Sequence, residues 1–296
     1  MPTLEAIRKR IESAQDLQSV VKTMKSLAAS SIWQYEAAVE SLSDYFRAVE
    51  MGLHIVLRDR SVRVLFPEPP VGNRLGAIIL GSDQGMVGGF NRQIAAYAVD
   101  RMNALQVKHG DRSILAVGLR VTAHLEERGQ PIEEHFSTPG SIAGITPMVQ
   151  ELLLRIEDWR WQRNLDQIIL FHHKSLSGAS HRPHTVYVLP LDLEWLRSLR
   201  RNPWSSHVLP TFTMDWQALF TALIREYFFV ALYRAFAESL ASENASRLAS
   251  MQAAEKNIEE RLDELNAQFH HERQRSITEE LLDIVAGSEA LAETTV

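Results

Sequence analysis

The stretch most suggestive of chemistry is GSDQGMVGGFN, residues 81–91, a glycine-rich loop standing before a helical pattern. Backbone N–H groups in such a loop, with a helix N-terminus behind them, can cradle a phosphate. The glycines fall at Gly81, Gly85, Gly88 and Gly89, which matches neither G-x-G-x-x-G nor G-x-x-x-x-G-K-[ST]. No lysine lies in the loop. The spacing therefore predicts a tight turn leading into a capped helix rather than a nucleotide site. Two histidine pairs, His172–His173 and His270–His271, are the next candidates. Neighbours in a strand point to opposite faces, and neighbours in a helix do not share one, so neither pair chelates a metal by itself. The acidic run EKNIEERLDE, residues 255–264, reads as a solvated or interfacial helix face rather than a carboxylate pair for acid–base work. The basic RSLRR, residues 197–201, reads as a loop cation cluster followed by Trp204. Zero cysteines exclude disulfides, Cys-ligated zinc, iron–sulfur clusters and thiol catalysis. No Ser-His-Asp arrangement with a nucleophile elbow is present. The expectation is a chain with no catalytic residue, no metal and no cofactor.

The elements that carry these residues divide sharply. Of 14 glycines and 11 prolines, all but Pro2, Gly52 and Gly287 lie between Pro67 and Pro210. Glycine and proline are the strongest breakers of regular structure, so two long helical arms should flank a turn-rich middle. In the first arm, residues 3–57, apolar side chains recur every three or four positions from Leu4 and Ile7 through Leu17, Val21, Met24 and Ala28 to Tyr45, Val49, Leu53 and Val56. That is one stripe on one helical face. The second arm starts near Thr213, where Thr213 or Asp215 can cap it, and is expected to end at Gly287. Its stripe includes Leu248, Met251, Ile258, Leu262, Leu265, Phe269, Ile277, Leu281 and Ile284. Helices of roughly 80 and 100 Å need their stripes buried, and an antiparallel coiled coil of the two arms does this most directly. Two separate helical bundles with unrecognised breaks are the alternative. Residues 219–236 are apolar on most faces, so this part of the second arm should lie against both the middle and the first arm.

The middle alternates strand and helix. Strands are expected at residues 75–80, 113–117, 168–171 and 185–189, with His172–His173 at a strand end, and helices at 88–105, 120–128 and 146–160. Such alternation with apolar strands means a mostly parallel sheet covered by helices, a Rossmann-like α/β domain. The resulting division is 1–60 for the N-terminal coiled-coil helix, 70–195 for the α/β domain and 212–296 for the C-terminal helix. The net charge of −6 gives no general attraction to nucleic acid or an anionic membrane. The charged start MPTLEAIRKRIESAQ lacks an apolar core and does not read as a secretory signal, and no run is long enough to span a membrane. These features predict a soluble chain that meets membranes only through a partner. They also fit a coiled-coil interaction protein that carries an α/β domain.

Four blocks carry a resemblance. LEAIRKRIESAQDLQSVVKTMKSLAAS at the start, SDQGMVGGFN in the loop, SENASRLASMQAAEKN at residues 242–257 and ITEELLDIVAGSEA at 277–290 are similar, in order, to the gamma subunit of F-type ATP synthases. The resemblance implies a central rotor shaft that is not itself an enzyme. Its partners would be the alpha and beta subunits of the catalytic hexamer, the epsilon subunit and the membrane rotor ring, with no nucleic acid. It implies a peripheral location on the cytoplasmic face of the membrane. Matched residue by residue, the polar contacts to a beta-subunit loop fall on Arg273, Gln274 and Thr278. A rotor–stator contact region falls on Met24 with Lys22 and Lys25. A hydrophobic bearing falls on Leu281, Leu282, Ile284 and Val285. The chain departs from the family where it reads SIWQYE at residues 31–36, without the usual basic stretch, and in the unusual 193–214 segment. These departures suggest a divergent branch, such as the alternative F-type ATPases thought to move sodium.

Overall fold

A computed structural model describes residues 3–58, 74–163, 165, 167–176, 181–201, 204, 208 and 210–293. The domain limits expected at 1, 60, 70 and 296, and part of the 193–214 stretch, lie outside these residues. The elements follow as α1 (Leu4–Leu57), β1 (Leu75–Leu80), α2 (Phe90–Ala104), β2 (Arg112–Val117), α3 (Leu119–Glu126), β3 (Ile132–Phe136), α4 (Ile142–Gln162), β4 (Gln167–Ser175), β5 (His181–Leu189), α5 (Leu193–Arg201) and α6 (Trp216–Glu293). The chain falls into two compact units, Met1–Leu27 with Leu248–Val296, and Ala28–Arg247. The division cuts through both long helices.

The larger unit is built on a five-stranded sheet in the order β3-β2-β1-β4-β5. β1 runs parallel to β2 and β4, and β2 parallel to β3, while β5 is antiparallel to β4. β1 and β2 are buried along their whole length because helices cover both faces. On one face Ile94, Ala98 and Met102 of α2 and Val121 and Leu125 of α3 pack on Ala77, Ile79, Ile114 and Ala116. On the other, Ile145, Val149, Leu152 and Trp159 of α4 meet Ile78, Leu80, Leu115 and Leu170. The same cluster takes in Leu232, Ala235, Phe236 and Leu240 of α6, and Tyr35 of α1. Full burial of each large apolar side chain contributes roughly 1.5–3 kcal/mol. A third cluster joins Val49, Leu53 and Leu57 of α1 to Leu196 and Leu199 of α5, with Leu223, Ile224 and Tyr227 of α6 packed against it. The apolar part of α6 thus touches both neighbours, although its large apolar side chains from Leu219 to Phe229 are only half-buried.

Several expectations need correction. α6 does not stop at Gly287 but continues to Glu293, since a lone glycine costs a helix only ~1 kcal/mol. Its start is capped by Asp215, whose Oδ2 accepts from the N–H groups of Gln217 (3.0 Å) and Ala218 (3.1 Å). RSLRR belongs to helix α5, not to a loop, with Asp192 Oδ1 accepting from Glu194 and Trp195 N–H at its start. α4 begins at Ile142, so Pro147 lies inside it rather than at its first turn. The strand β3 went unread because its IEEHF sequence is an edge pattern, half-buried and acidic. β4 reaches Ser175, so His172 and His173 sit within a strand and not at its end.

In the smaller unit the two helices pair through a narrow seam. Ile7, Val21, Met251 and Leu265 are buried, with Leu4, Ile11, Ala14, Ile258, Leu262 and Phe269 half-buried. Leu17, expected on the buried stripe, is 59% exposed, because steps of strictly three and four drift around a helix of 3.6 residues per turn. In the larger unit Tyr45 is likewise exposed, its hydroxyl donating to Glu226 at 2.6 Å.

Candidate functional site

In open α/β sheets ligands bind beyond the carboxyl ends of the strands, where the order reverses. Here that is the end of β1, and the glycine-rich loop occupies it. Asp83 in this loop reaches across two neighbours. Its Oδ1 accepts from the Leu119 N–H at 2.8 Å, at the N-terminus of α3. Its Oδ2 accepts from the Thr138 N–H at 2.8 Å and the Thr138 hydroxyl at 3.0 Å, in the loop after β3. These donors are of the kind a bound phosphate would use. The chain's own carboxylate takes them. Ser82 and Asn91 close the loop reciprocally. The Ser82 N–H donates to Asn91 Oδ1 (2.9 Å) and Asn91 Nδ2 to Ser82 Oγ (2.8 Å), both buried. Gly118 has φ +112°, and a Cβ there would lie 2.6 Å from Ser82 N, so only glycine lets the two loops meet. α2 begins after Gly89 without a side-chain cap, unlike the capped helix expected. The loop is a clasp joining three strand ends.

The histidine pair behaves as strand geometry requires, one ring to each face. His172 Nδ1 donates to the His173 carbonyl at 3.0 Å and lies 3.9 Å from Glu238 Oε2. His173 Nε2 donates to the Phe90 carbonyl at 2.9 Å, and its ring stacks on Phe90. Both are buried, and desolvation pushes each down to about 3, so they are neutral near pH 7. No group of three metal-ligating side chains is present among the described residues.

Near the larger unit's end of α6, Arg247 donates to Glu243 at 2.6 Å, with both side chains about nine-tenths buried. Burial raises the Glu243 carboxyl, while the adjacent guanidinium lowers it. The same pair flanks buried Tyr35, whose phenol desolvation raises first and Glu243 second.

The residues expected to meet partners lie in the smaller unit. Lys25 is engaged within it, donating to Glu255 Oε2 at 2.5 Å, whereas Lys22 is exposed and Met24 half-buried. Gln18 donates to Glu259 at 3.5 Å beside them. Arg273, Gln274 and Thr278 are exposed on α6, and the Thr278 hydroxyl donates to the Gln274 carbonyl at 2.9 Å. Arg273 has no ion-pair partner among the described residues, while Arg275 bridges Glu272 and Glu279. Leu281, Leu282, Ile284 and Val285 are all more than half exposed. Sequence reading missed Val20 and Leu27, which join Leu17 as large exposed apolar residues on α1. Their spacing of three and seven was the available signal.

A family profile described as ATP synthase matches residues 3–291. An ATP synthase gamma chain of Ruminococcus albus is 24% identical over 290 residues, covering 97% of this chain and 98% of that one. One from Nostoc punctiforme is 27% identical, covering 98% and 100%. Among solved structures, a chain of the Euglena gracilis mitochondrial ATP synthase rotor superposes with a TM-score of 0.63 at 15% identity, covering 93% of this chain and 98% of its own. A chain of the same organism's OSCP/F1/c-ring assembly gives 0.64 at 17% identity, covering 99% and 96%.

Proposed function

The chain belongs to the ATP synthase family, as a gamma-type, non-catalytic stalk subunit, and from that premise we propose how its two units divide the work. The paired helices of the smaller unit are the shaft that turns within a ring of alternating alpha and beta subunits. The α/β unit is the foot that meets an epsilon subunit and the membrane rotor ring. Rotation presents different faces of one shaft to three equivalent catalytic subunits. Only such differential contact can shift a partner's conformational equilibrium. The alpha/beta ring supplies the nucleotide chemistry, so the foot needs no phosphate loop. The Asp83 clasp is consistent with this, because it spends the loop's donors on rigidity.

The observation that carries this reading is the match along residues 3–291, together with a helical pair whose exposed end is chemically distinct from its middle. In the reading proposed, Arg273 donates charge-assisted hydrogen bonds to a beta-subunit loop, and Gln274 and Thr278 add directional ones. Leu281, Leu282, Ile284 and Val285 seat in an apolar bearing. Lys22 faces the stator near Met24, and Lys25 helps hold the shaft together through Glu255. In this reading the functional segments are 1–60 for the first arm, 70–195 for the α/β core of the foot and 212–296 for the second arm. No helix among the described residues is long and apolar enough to cross a membrane. Attachment is peripheral through the rotor ring, on the cytoplasmic face.

Affinity purification of the tagged chain from its native cells tests this. Alpha, beta and epsilon subunits should co-elute with ATPase activity. Recovery of the chain without them would sink the reading.

A further inference from the structure

The larger unit holds a cavity of about 330 Å³ that the stalk function does not use. It lies between α1, α6 and the β4–β5 pair. Its size is at the lower end of the ~300–1,000 Å³ typical of small-molecule sites. Its apolar lining includes Val39, Leu42 and Phe46 of α1 with Tyr227 and Val230 of α6. Its polar lining includes His172, Lys174, His184, Arg234 and Glu238.

The charges among these polar groups do not cancel. Arg234 donates to Glu238 at 2.9 Å, so these two form a pair. His172 is held neutral by burial, and His184 is pushed down by burial first and then by Lys174, with Glu238 opposing and Arg182 and Arg234 adding to the fall. Lys174 is left as one half-buried ammonium with no ion-pair partner among the described residues. The neutral His172 donates through Nδ1, which leaves Nε2 as an acceptor. That lone pair and the Glu238 carboxylate repel a second anionic group. The site is thus complementary to one negative charge carried on a short apolar body.

We propose that this cavity binds an amphipathic monocarboxylate of medium chain length, its carboxylate on Lys174 and an N–H of His184, its hydrocarbon among Leu42, Phe46 and Val230. The ligand would touch α1, α6 and the sheet edge at once. The proposal stands on the cavity alone and does not depend on the partners assigned above.

Calorimetric titration of the full-length chain with octanoate, octanol, octylammonium and acetate tests it. Octanoate should bind at one site, with the other three at least ~10-fold weaker, since each lacks the charge, its sign or the apolar body. Lys174→Gln should weaken octanoate by ~10-fold or more, and Lys108→Gln, an exposed control, should not. Leu42→Trp should abolish binding by filling the cavity. It decides the matter if Lys174→Gln lowers the melting temperature. Equal binding of octanol and octanoate, or octanoate binding indifferent to Leu42→Trp, would overturn the proposal.

Discussion

The sheet-based unit and the helical pair use apolar side chains in opposite ways. In Ala28–Arg247 the strands β1 and β2 are buried on both faces and whole side chains such as Phe90, Phe171 and Phe236 vanish from the surface. In the other unit the buried apolar residues among those described are Ile7, Val21, Met251 and Leu265, while Leu17, Val20, Leu27, Leu281 and Leu282 stay exposed. A sheet sandwiched by helices closes its own core. Two helices bury one narrow seam, and the remaining faces are available to something else. The first unit carries its stability within itself, whereas the second leaves much apolar surface for a partner to cover.

The strongest test of this contrast is Phe236→Ala. Truncating a buried phenylalanine should remove about 3–5 kcal/mol, read as a lower denaturant midpoint. A loss below ~1 kcal/mol would show that α6 is only loosely seated on the sheet. Asp83→Ala should follow. It loses charge-assisted hydrogen bonds to the part-buried Thr138 N–H and hydroxyl and a solvent-exposed one to the Leu119 N–H, for about 1–2 kcal/mol. A neutral result would deny the clasp its role.

The buried histidines sharpen the same point through pH. His172 titrates near 6.5 when unfolded and at about 3 when folded. Between those values the unfolded chain binds more protons, so stability is full above about 6.5 and falls as the pH drops through the window. His172→Asn should flatten that acid limb by roughly 1.4 kcal/mol per pH unit, measured as unfolding free energy against pH. An unchanged slope would mean that the ring is not buried neutral.

The smallest stability effect belongs to the exposed tip. Leu282→Ser should change the unfolding free energy by less than about 0.5 kcal/mol. ATP synthesis by the reassembled complex should nevertheless drop if Leu282 seats in the proposed bearing. A large stability loss with intact coupling would reverse the assignment of the two units.

Much of this was legible before any coordinates. The uneven placement of glycine and proline marked both long helices, and strand–helix alternation marked the parallel sheet. α2, α3 and four strands fall within a few residues of their expected places. β3 escaped because an edge strand buries one face only and IEEHF carries charges on the other. α5 escaped because its arginines mask a strongly amphipathic turn whose Leu196 and Leu199 are buried. The loop carries no nucleotide fingerprint, but Asp83 as its organising residue was invisible in the sequence. Its partners Leu119 and Thr138 lie 36 and 55 residues away.

By itself the sequence determined periodicity, punctuation and charge, which are local quantities: where helices run, which stretches alternate, and that no cysteine chemistry is possible. Tertiary structure alone decided which side of α1 is buried, why Leu17 and not Gln18 faces outward, and that Lys25 is spent on Glu255. It also brought Lys174, His184 and Glu238 around one cavity with Leu42 and Phe46. Local propensity depends on neighbours a few residues apart. Burial and charge pairing depend on groups that only packing brings together, so no spacing rule along the chain could have predicted them.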